Sequence, residues 1–82
     1  MLRSEVFEKL CWIFKDVFDD DSLQISEQTT QDDIPDWDSL MHITLFSEIE
    51  DKFAVRLQMK DLIKLHSVKD IIDRLMELLQ CN

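Results

Sequence analysis

The sequence predicts an all-α protein, a four-helix bundle formed by a single domain over residues 1–82. The chain has no glycine, one proline and no sustained alternation of apolar and polar residues, so hairpins and strands have little support. Its length and its 45% hydrophobic content are typical of one small domain. Apolar residues recur at helical spacing in four stretches, which predicts three longer helices, a short third helix and a long acidic loop between the first and second helices.

The first helix is predicted to begin near Arg3 or Ser4 and to end near Phe18. Trp12 falls on the opposite side of the helical wheel from the apolar residues. This position predicts a surface tryptophan and leaves a contact role open. The residues expected to face the core are Val6, Phe7, Leu10, Ile13, Phe14, Val17 and Phe18.

A long connection follows, from Asp19 to Trp37, and it exceeds the about 12 to 15 residues beyond which loops without structure become uncommon. Local order or a function is therefore expected in it. Leu23, Ile25 and Ile34 are the apolar residues that could hold it against the bundle.

The net charge of −9 is concentrated in this region. Residues 16–38 contain nine acids and no lysine or arginine, whereas the rest of the chain holds nine acids and nine bases. Such a surface repels nucleic acid and anionic membranes and attracts basic protein patches, although a merely solvated loop remains an alternative. The acids do not form an EF-hand, because counting from Asp19 the glycine position is Gln24 and the twelfth is Thr30.

The second helix is predicted from Ser39 to about Phe53 and separates into two faces. His42 lies on the inner face, where a packed, hydrogen-bonded histidine is expected rather than a catalytic or metal-binding one. The other inner residues are Leu45, Phe46, Ile49 and Phe53, with Met41 and Ile43 at the margins. The outward ridge contains Leu40, Thr44, Ser47, Glu48 and Asp51.

A linker over residues 54–57 leads to a short third helix, predicted near Met59 to Leu65. Ser67 is the predicted N-cap of the fourth helix, and Asp70 would complete a capping box. The core stripe of this helix is predicted to be Val68, Ile71, Ile72, Leu75 and Leu79.

Several chemistries are excluded or disfavoured. A chain without glycine has no phosphate-cradling loop, and no Ser/His/Asp set or His-x-x-x-His pair can be recognised, which predicts neither an enzyme nor a metal site. Cys11 and Cys81 have no metal-ligand spacing and are interpreted as reduced thiols. No apolar run approaches the about 20 residues of a membrane span, and a cytoplasmic location is expected.

Ser39 lies where the acidic connection gives way to the second helix, in the segment Asp36-Trp37-Asp38-Ser39-Leu40. In a first helical turn its hydroxyl lies beside N–H groups that lack intrahelical partners, where a phosphate ester would be well placed. This segment and the order of the elements around it resemble the acyl carrier proteins, whose hallmark is Asp-Ser-Leu at the start of the second helix of a four-helix bundle. Phe-Ala-Val-Arg-Leu at 53–57 and Ser-Val-x-Asp at the start of the fourth helix extend the resemblance over nearly the whole chain.

The resemblance implies a function. A phosphopantetheinyl transferase would attach 4′-phosphopantetheine from coenzyme A to the hydroxyl of Ser39, with Asp38 helping to hold Mg²⁺ and Leu40 completing the motif. Acyl groups would then be carried as thioesters to enzymes that load or use them. These enzymes are expected to bring basic docking patches to a carrier that is expected to be monomeric. The contacts would involve Met41, Thr44, Ser47, Glu48 and Asp51.

The sequence also departs from carriers of housekeeping fatty acid synthesis. Those carriers have a glycine shortly before the aspartate and acids at the positions of Met41 and Thr44, so this chain resembles a discrete carrier of a specialised lipid, polyketide or polysaccharide-modifying pathway. An aminoacyl or D-alanyl carrier is one alternative. Another is a small acidic interaction module without a prosthetic group, in which Ser39 only caps a helix.

Overall fold

The structure, a computed structural model, describes residues 2–80. Within that range the fold is all-helical, as predicted, and contains no strand; one isolated antiparallel bridge joins Thr30 to Ser67. Cys81, one of the two predicted thiols, lies outside the described residues. The elements are α1 (Arg3–Val17), a 3₁₀ turn (Gln31–Asp33), α2 (Ser39–Phe53), α3 (Met59–Lys64) and α4 (Val68–Gln80).

The core lies where α1 packs against α2 and α4. The predicted apolar faces of these helices are confirmed, and Phe7, Val17, Phe18 and Leu79 pack at the core's edge. Each fully buried aliphatic or phenyl side chain contributes about 1.5 to 3 kcal/mol relative to exposure, so this core is the main source of stability. Its buried apolar residues are Val6, Leu10, Ile13, Phe14, Ile34, Trp37, Leu45, Phe46, Ile49, Phe53, Val68, Ile71, Ile72 and Leu75.

Trp12 is exposed on α1, as predicted, and Lys15 Nζ lies 5.3 Å from the centre of its ring. Cys11, next to it in sequence, is a half-buried free thiol. Partial burial raises the pKa of this thiol, which reduces its fraction of reactive thiolate.

The connection between α1 and α2, residues 18–38, is locally ordered. Asp20 Oδ1 accepts hydrogen bonds from the N–H and hydroxyl of Ser22, and Asp33 Oδ2 accepts one from Thr30 N–H. Leu23 and Ile25 pack on the core and Ile34 is buried, so the predicted anchoring is confirmed. Further bonds tie the connection to the start of α4: Val68 N–H donates to Thr29 O and Gln31 N–H to His66 O, at 2.9 and 2.8 Å.

One acid of this region, Glu27, is paired with a base. Both carboxylate oxygens of Glu27 accept hydrogen bonds from Arg3, at 2.7 and 3.1 Å, and Arg3 also donates to Asp73 on α4 at 2.8 Å. The hydrogen bonds from Arg3 lower the pKa of Glu27. Since the side chains of Arg3, Glu27 and Asp73 are all more than a third exposed, the pairing adds little stability, but it joins the connection to both α1 and α4.

α2 ends at Phe53, and its C-cap, Ala54, adopts the left-handed conformation with φ 54°. Glu50 then accepts a hydrogen bond from Leu57 N–H, which orders the short linker before α3. At the start of α4, Ser67 Oγ accepts the N–H of Asp70 at 3.1 Å, which confirms the predicted N-cap. The reciprocal bond from Ser67 N–H to the Asp70 carboxylate is not formed within the described residues, so only half of the predicted capping box is present.

Among the helices formed by residues 2–80, none combines the length and the apolar character needed to cross a membrane.

Candidate functional site

Ser39 is the first residue of α2, and the helix is capped by its neighbour Asp38. Asp38 Oδ1 accepts the N–H of Met41 at 2.9 Å, and the backbone carbonyl of Asp38 accepts the N–H of His42 at 2.8 Å. The cap that one alternative assigned to Ser39 is therefore formed by Asp38. Within residues 2–80, the hydroxyl of Ser39 and the N–H groups of Ser39 and Leu40 have no hydrogen-bond partner, and both residues are exposed.

Trp37 anchors this exposed helix start from below. Its side chain is only 3% exposed, and its ring lies edge-on to Phe14 at 5.3 Å between centroids. Trp37 directly precedes the N-cap, and His42 occupies the fourth helical position, a spacing at which side chains often pack together at helix starts. The sequence prediction missed this burial, although that spacing was the signal for it.

His42 joins three elements through both of its ring nitrogens. Trp37 Nε1–H donates to His42 Nδ1 at 2.9 Å, and His42 Nε2 lies 2.6 Å from the carbonyl oxygen of Leu62 on α3. Because an indole N–H only donates, Nδ1 is the acceptor and the neutral ring carries its proton on Nε2, which donates to Leu62. Burial is the main cause of the lowered pKa of His42 and favours this neutral form. The packed, hydrogen-bonded histidine is confirmed.

A second histidine extends the network towards the surface. Gln31 Nε2 donates to the carbonyl of Trp37 at 3.1 Å, which leaves Gln31 Oε1 to accept from His66 Nδ1 at 3.0 Å. The ring of His66 stacks on that of His42, with centroids 5.9 Å apart and planes 18° from parallel. These contacts hold together the connection, α2, α3 and the segment between α3 and α4 beside Ser39.

An open cleft of about 500 Å³ lies between α2 and α3 and has Ser39 on its edge. Ile43, Met59 and Ile63 expose apolar side chains along it, while His66 and Gln31 are the polar groups at its rim. A group attached to the hydroxyl of Ser39 would therefore start beside a mostly apolar surface. The full lining is Gln31, Ser39, His42, Ile43, Met59, Leu62, Ile63 and His66.

The predicted partner-binding residues lie along α2, from two to twelve residues after Ser39. Thr44, Ser47 and Asp51 are exposed, whereas Met41 and Glu48 are half-buried. The hydroxyl of Thr44 donates to the carbonyl of Leu40 at 3.1 Å, which satisfies that polar group within the helix. The face is accessible, and it is less acidic than the connection that precedes it.

The start of α2 fits a phosphate ester on Ser39. Its hydroxyl is exposed and unpartnered within residues 2–80, and the two open N–H groups and the helix dipole favour a negative group there. The carboxylate of Asp38 opposes that charge, so a cation shared between carboxylate and phosphate would favour the arrangement. Within the described residues no cluster of three or more His, Cys, Asp or Glu side chains forms a metal site of its own.

Comparisons with known proteins agree with this geometry. The family profile described as "phosphopantetheine attachment site" matches residues 8–75. The fold is similar to the solution structure of a holo acyl carrier protein from Geobacter metallireducens, with a TM-score of 0.82, 36% identity and coverage of 89% of this chain and 84% of that one. It is also similar to the crystal structure of an acyl carrier protein from Thermotoga maritima, with a TM-score of 0.79, 28% identity and coverage of 95% and 91%. Among curated protein sequences, none matches significantly.

Carrier proteins of this kind are not enzymes; they interact with a phosphopantetheinyl transferase and with partner enzymes. The profile match covers most of the chain, and the fold and the start of α2 agree with it. This chain belongs to the acyl carrier protein family, and its cofactor is a covalently attached 4′-phosphopantetheine.

Proposed function

We propose that this chain carries acyl intermediates as thioesters on a 4′-phosphopantetheine arm attached to Ser39, and that it presents them to partner enzymes. The observation that carries the proposal is the exposed, unpartnered hydroxyl of Ser39 at the start of α2, on the edge of an apolar cleft. When bound, the arm supplies a terminal thiol that forms the thioester. The chain itself supplies the attachment point and the surfaces around it.

Ser39 is the nucleophile in the attachment step. Its Oγ forms a bond to the phosphorus that bears the pantetheine part of coenzyme A, and the bond from that phosphorus to the nucleotide part breaks. The hydroxyl proton leaves to a base of the transferase, since no base lies within hydrogen-bond reach of Oγ in residues 2–80. Ser39 can react in this way because its oxygen is not occupied as a helix cap.

Asp38 fixes the geometry of this serine. Its Oδ1 is held by Met41 N–H, which sets the first turn of α2, and its Oδ2 has no partner among residues 2–80. That oxygen is free to contribute one ligand to Mg²⁺ together with oxygens of the coenzyme and the transferase. The proposed role of Asp38 therefore combines capping with cation binding.

The outer surface of α2 is proposed to bind partner enzymes through basic patches. Met41, Thr44, Ser47, Glu48 and Asp51 would form this contact, and the acids of residues 16–38 would steer basic partners towards it. Because Met41 and Thr44 are uncharged, we propose enzymes of a specialised lipid, polyketide or polysaccharide-modifying pathway. An aminoacyl or D-alanyl carrier shares the same serine chemistry. A monomeric, cytoplasmic protein of one domain over residues 1–82 is part of the proposal.

The attachment is tested by mass spectrometry of the intact protein after incubation with a broad-specificity phosphopantetheinyl transferase, coenzyme A and Mg²⁺. The wild type should gain one arm and Ser39→Ala none. Ser4→Ala is the matched control, since Ser4 is also an exposed serine in a first helical turn, and this variant should gain the arm. Modification of Ser39→Ala, or failure of the wild type with several transferases, would contradict the assignment and favour an interaction module without a prosthetic group.

A further inference from the structure

The floor of the cleft beside Ser39 is a polar side chain that is hydrogen-bonded at both of its ring nitrogens. His42 lies at that floor, 7% exposed, with Nδ1 bonded to Trp37 and Nε2 bonded to Leu62. The connection, α2 and α3 are therefore joined across the path from the cleft to the centre of the bundle.

Aromatic packing closes the same path. The ring of His42 lies 4.5 Å from that of Phe46 and 5.8 Å from that of Trp37, measured between centroids. Phe46 and Leu45, on the same face of α2, are at most 1% exposed. An apolar chain that entered the bundle from the cleft would have to displace the imidazole and then separate this packed layer.

Displacing His42 carries a penalty that displacing an aliphatic residue would not. The buried indole N–H of Trp37 and the partly buried carbonyl of Leu62 would each lose their partner, and buried polar groups without partners are strongly unfavourable. The floor is thus selectively resistant to an apolar ligand, which offers neither group a hydrogen bond.

Outside this floor, the walls of the cleft are apolar and favour apolar groups. Ile43, Met59 and Ile63 are each more than half exposed and form an open apolar wall. Carbons that extend past these three side chains would remain in water, because the floor stops them from continuing inwards.

We infer that His42 is a specificity-determining residue that keeps the cargo in the open cleft and restricts effective shelter to short acyl groups. This inference rests on the proposed function, since it concerns cargo on an arm at Ser39. It predicts that protection of the thioester stops increasing once the acyl chain fills the cleft.

The test uses the wild type loaded directly with butyryl, octanoyl and dodecanoyl arms from the corresponding acyl coenzyme A thioesters. The rate at which hydroxylamine cleaves each thioester measures shelter. Each additional buried methylene would slow cleavage by about fourfold. With a closed floor, the octanoyl and dodecanoyl thioesters should react within about twofold of one another. Entry of the longer chain into the bundle would instead slow it by up to about 250-fold, the product of four such factors, and would overturn the inference.

Amide chemical shifts of the same loaded proteins locate the chain independently. Between butyryl and octanoyl loading, shifts at Ile43, Met59 and Ile63 should change as the chain fills the cleft. Between octanoyl and dodecanoyl loading, those at the buried Ile49 and Ile72 should stay the same. Length-dependent shifts at Ile49 and Ile72 would show that the cargo enters the core and would refute the closed floor.

His42→Ala removes the floor and both hydrogen bonds. In this variant the dodecanoyl thioester should become at least about tenfold more protected than the octanoyl thioester, consistent with burial of two or more further methylenes. Val68→Ala is the matched control, because it also removes buried volume but does not line the cleft, and it should behave as the wild type. The proposed role of His42 in limiting chain length is refuted if Val68→Ala protects the dodecanoyl thioester to the same extent. It is also refuted if a folded His42→Ala shows no added protection.

Mass spectrometry before the assay distinguishes failure of the proposed function from failure of the role of His42. A wild type that accepts no acyl arm contradicts the proposed function. A wild type that is loaded on Ser39 but protects dodecanoyl far better than octanoyl leaves the carrier function intact and contradicts only the role of His42.

Discussion

The two faces of α2 differ in how far their polar and apolar groups are buried and hydrogen-bonded within the chain. On the inner face, Phe46 and Ile49 are at most 1% exposed and the polar ring of His42 is bonded at both nitrogens. On the outer face, Leu40 is 71% exposed and Thr44 reaches only the carbonyl of its own helix. The inner face is satisfied within the chain, whereas the outer face is available to other proteins. Changes to the two faces should therefore alter different measurements.

The largest effect is expected from the packing of the inner face. Phe46→Ala should lower the free energy of unfolding by about 3 to 5 kcal/mol, because it removes a fully buried phenyl group and leaves a cavity. Thr44→Ala, two residues away on the outer face, should change it by less than about 0.5 kcal/mol. Urea unfolding monitored by circular dichroism measures both. A similar loss in the two variants would show that the faces do not differ in their contribution to stability.

A smaller effect, on partner enzymes rather than on stability, is expected from the outer face. The double variant Met41→Asp with Thr44→Glu places carboxylates where carriers of housekeeping fatty acid synthesis have them. A ketosynthase or malonyl transferase of that pathway should use the phosphopantetheinylated variant about twofold to thirtyfold faster at low salt, since each exposed ion pair contributes about 0.2 to 1 kcal/mol.

The control for this variant is ionic strength. High salt screens exposed charges, so the gain should shrink when the transfer rate is measured in high salt. Equal rates for the wild type and the double variant, or a gain that salt leaves unchanged, would show that charge on this face does not determine partner choice.

The smallest effect is a pH dependence that belongs to the inner face. Burial lowers the pKa of His42 from its ordinary 6.5, so the folded state favours the neutral ring. This contribution to stability is fully present above pH 6.5. It should decrease as the pH falls below 6.5 towards the lowered value, where the unfolded chain binds a proton that the folded chain does not.

The measurement is urea unfolding of the wild type and of His42→Gln between neutral pH and pH 5. The wild type should lose more stability than the variant over this interval, by less than the about 1.4 kcal/mol per pH unit that one proton can contribute. Parallel pH profiles would mean that protonation of His42 is not linked to folding.

Much of the fold could be predicted because helical periodicity is a local property. The spacing of apolar residues predicted α2 from Ser39 to Phe53 and its inner face from His42 to Phe53, and both agree with the structure. The same spacing predicted α1, α3 and α4 to within a residue or two. The Asp-Ser-Leu segment and its setting were enough to indicate the family.

Pairings between distant residues were decided only by the tertiary structure. Arg3 bonds to Glu27 and Asp73, which lie 24 and 70 positions away, and no periodicity relates them. His42 finds Leu62 on another helix, and Trp37 is buried because α1 supplies Phe14 beside it. Burial and hydrogen bonding depend on which elements meet in space. The sequence by itself therefore determined the helices and indicated Ser39 as the proposed attachment site, while packing decided the cap at Asp38, the pairing of Glu27 and the two hydrogen bonds of His42.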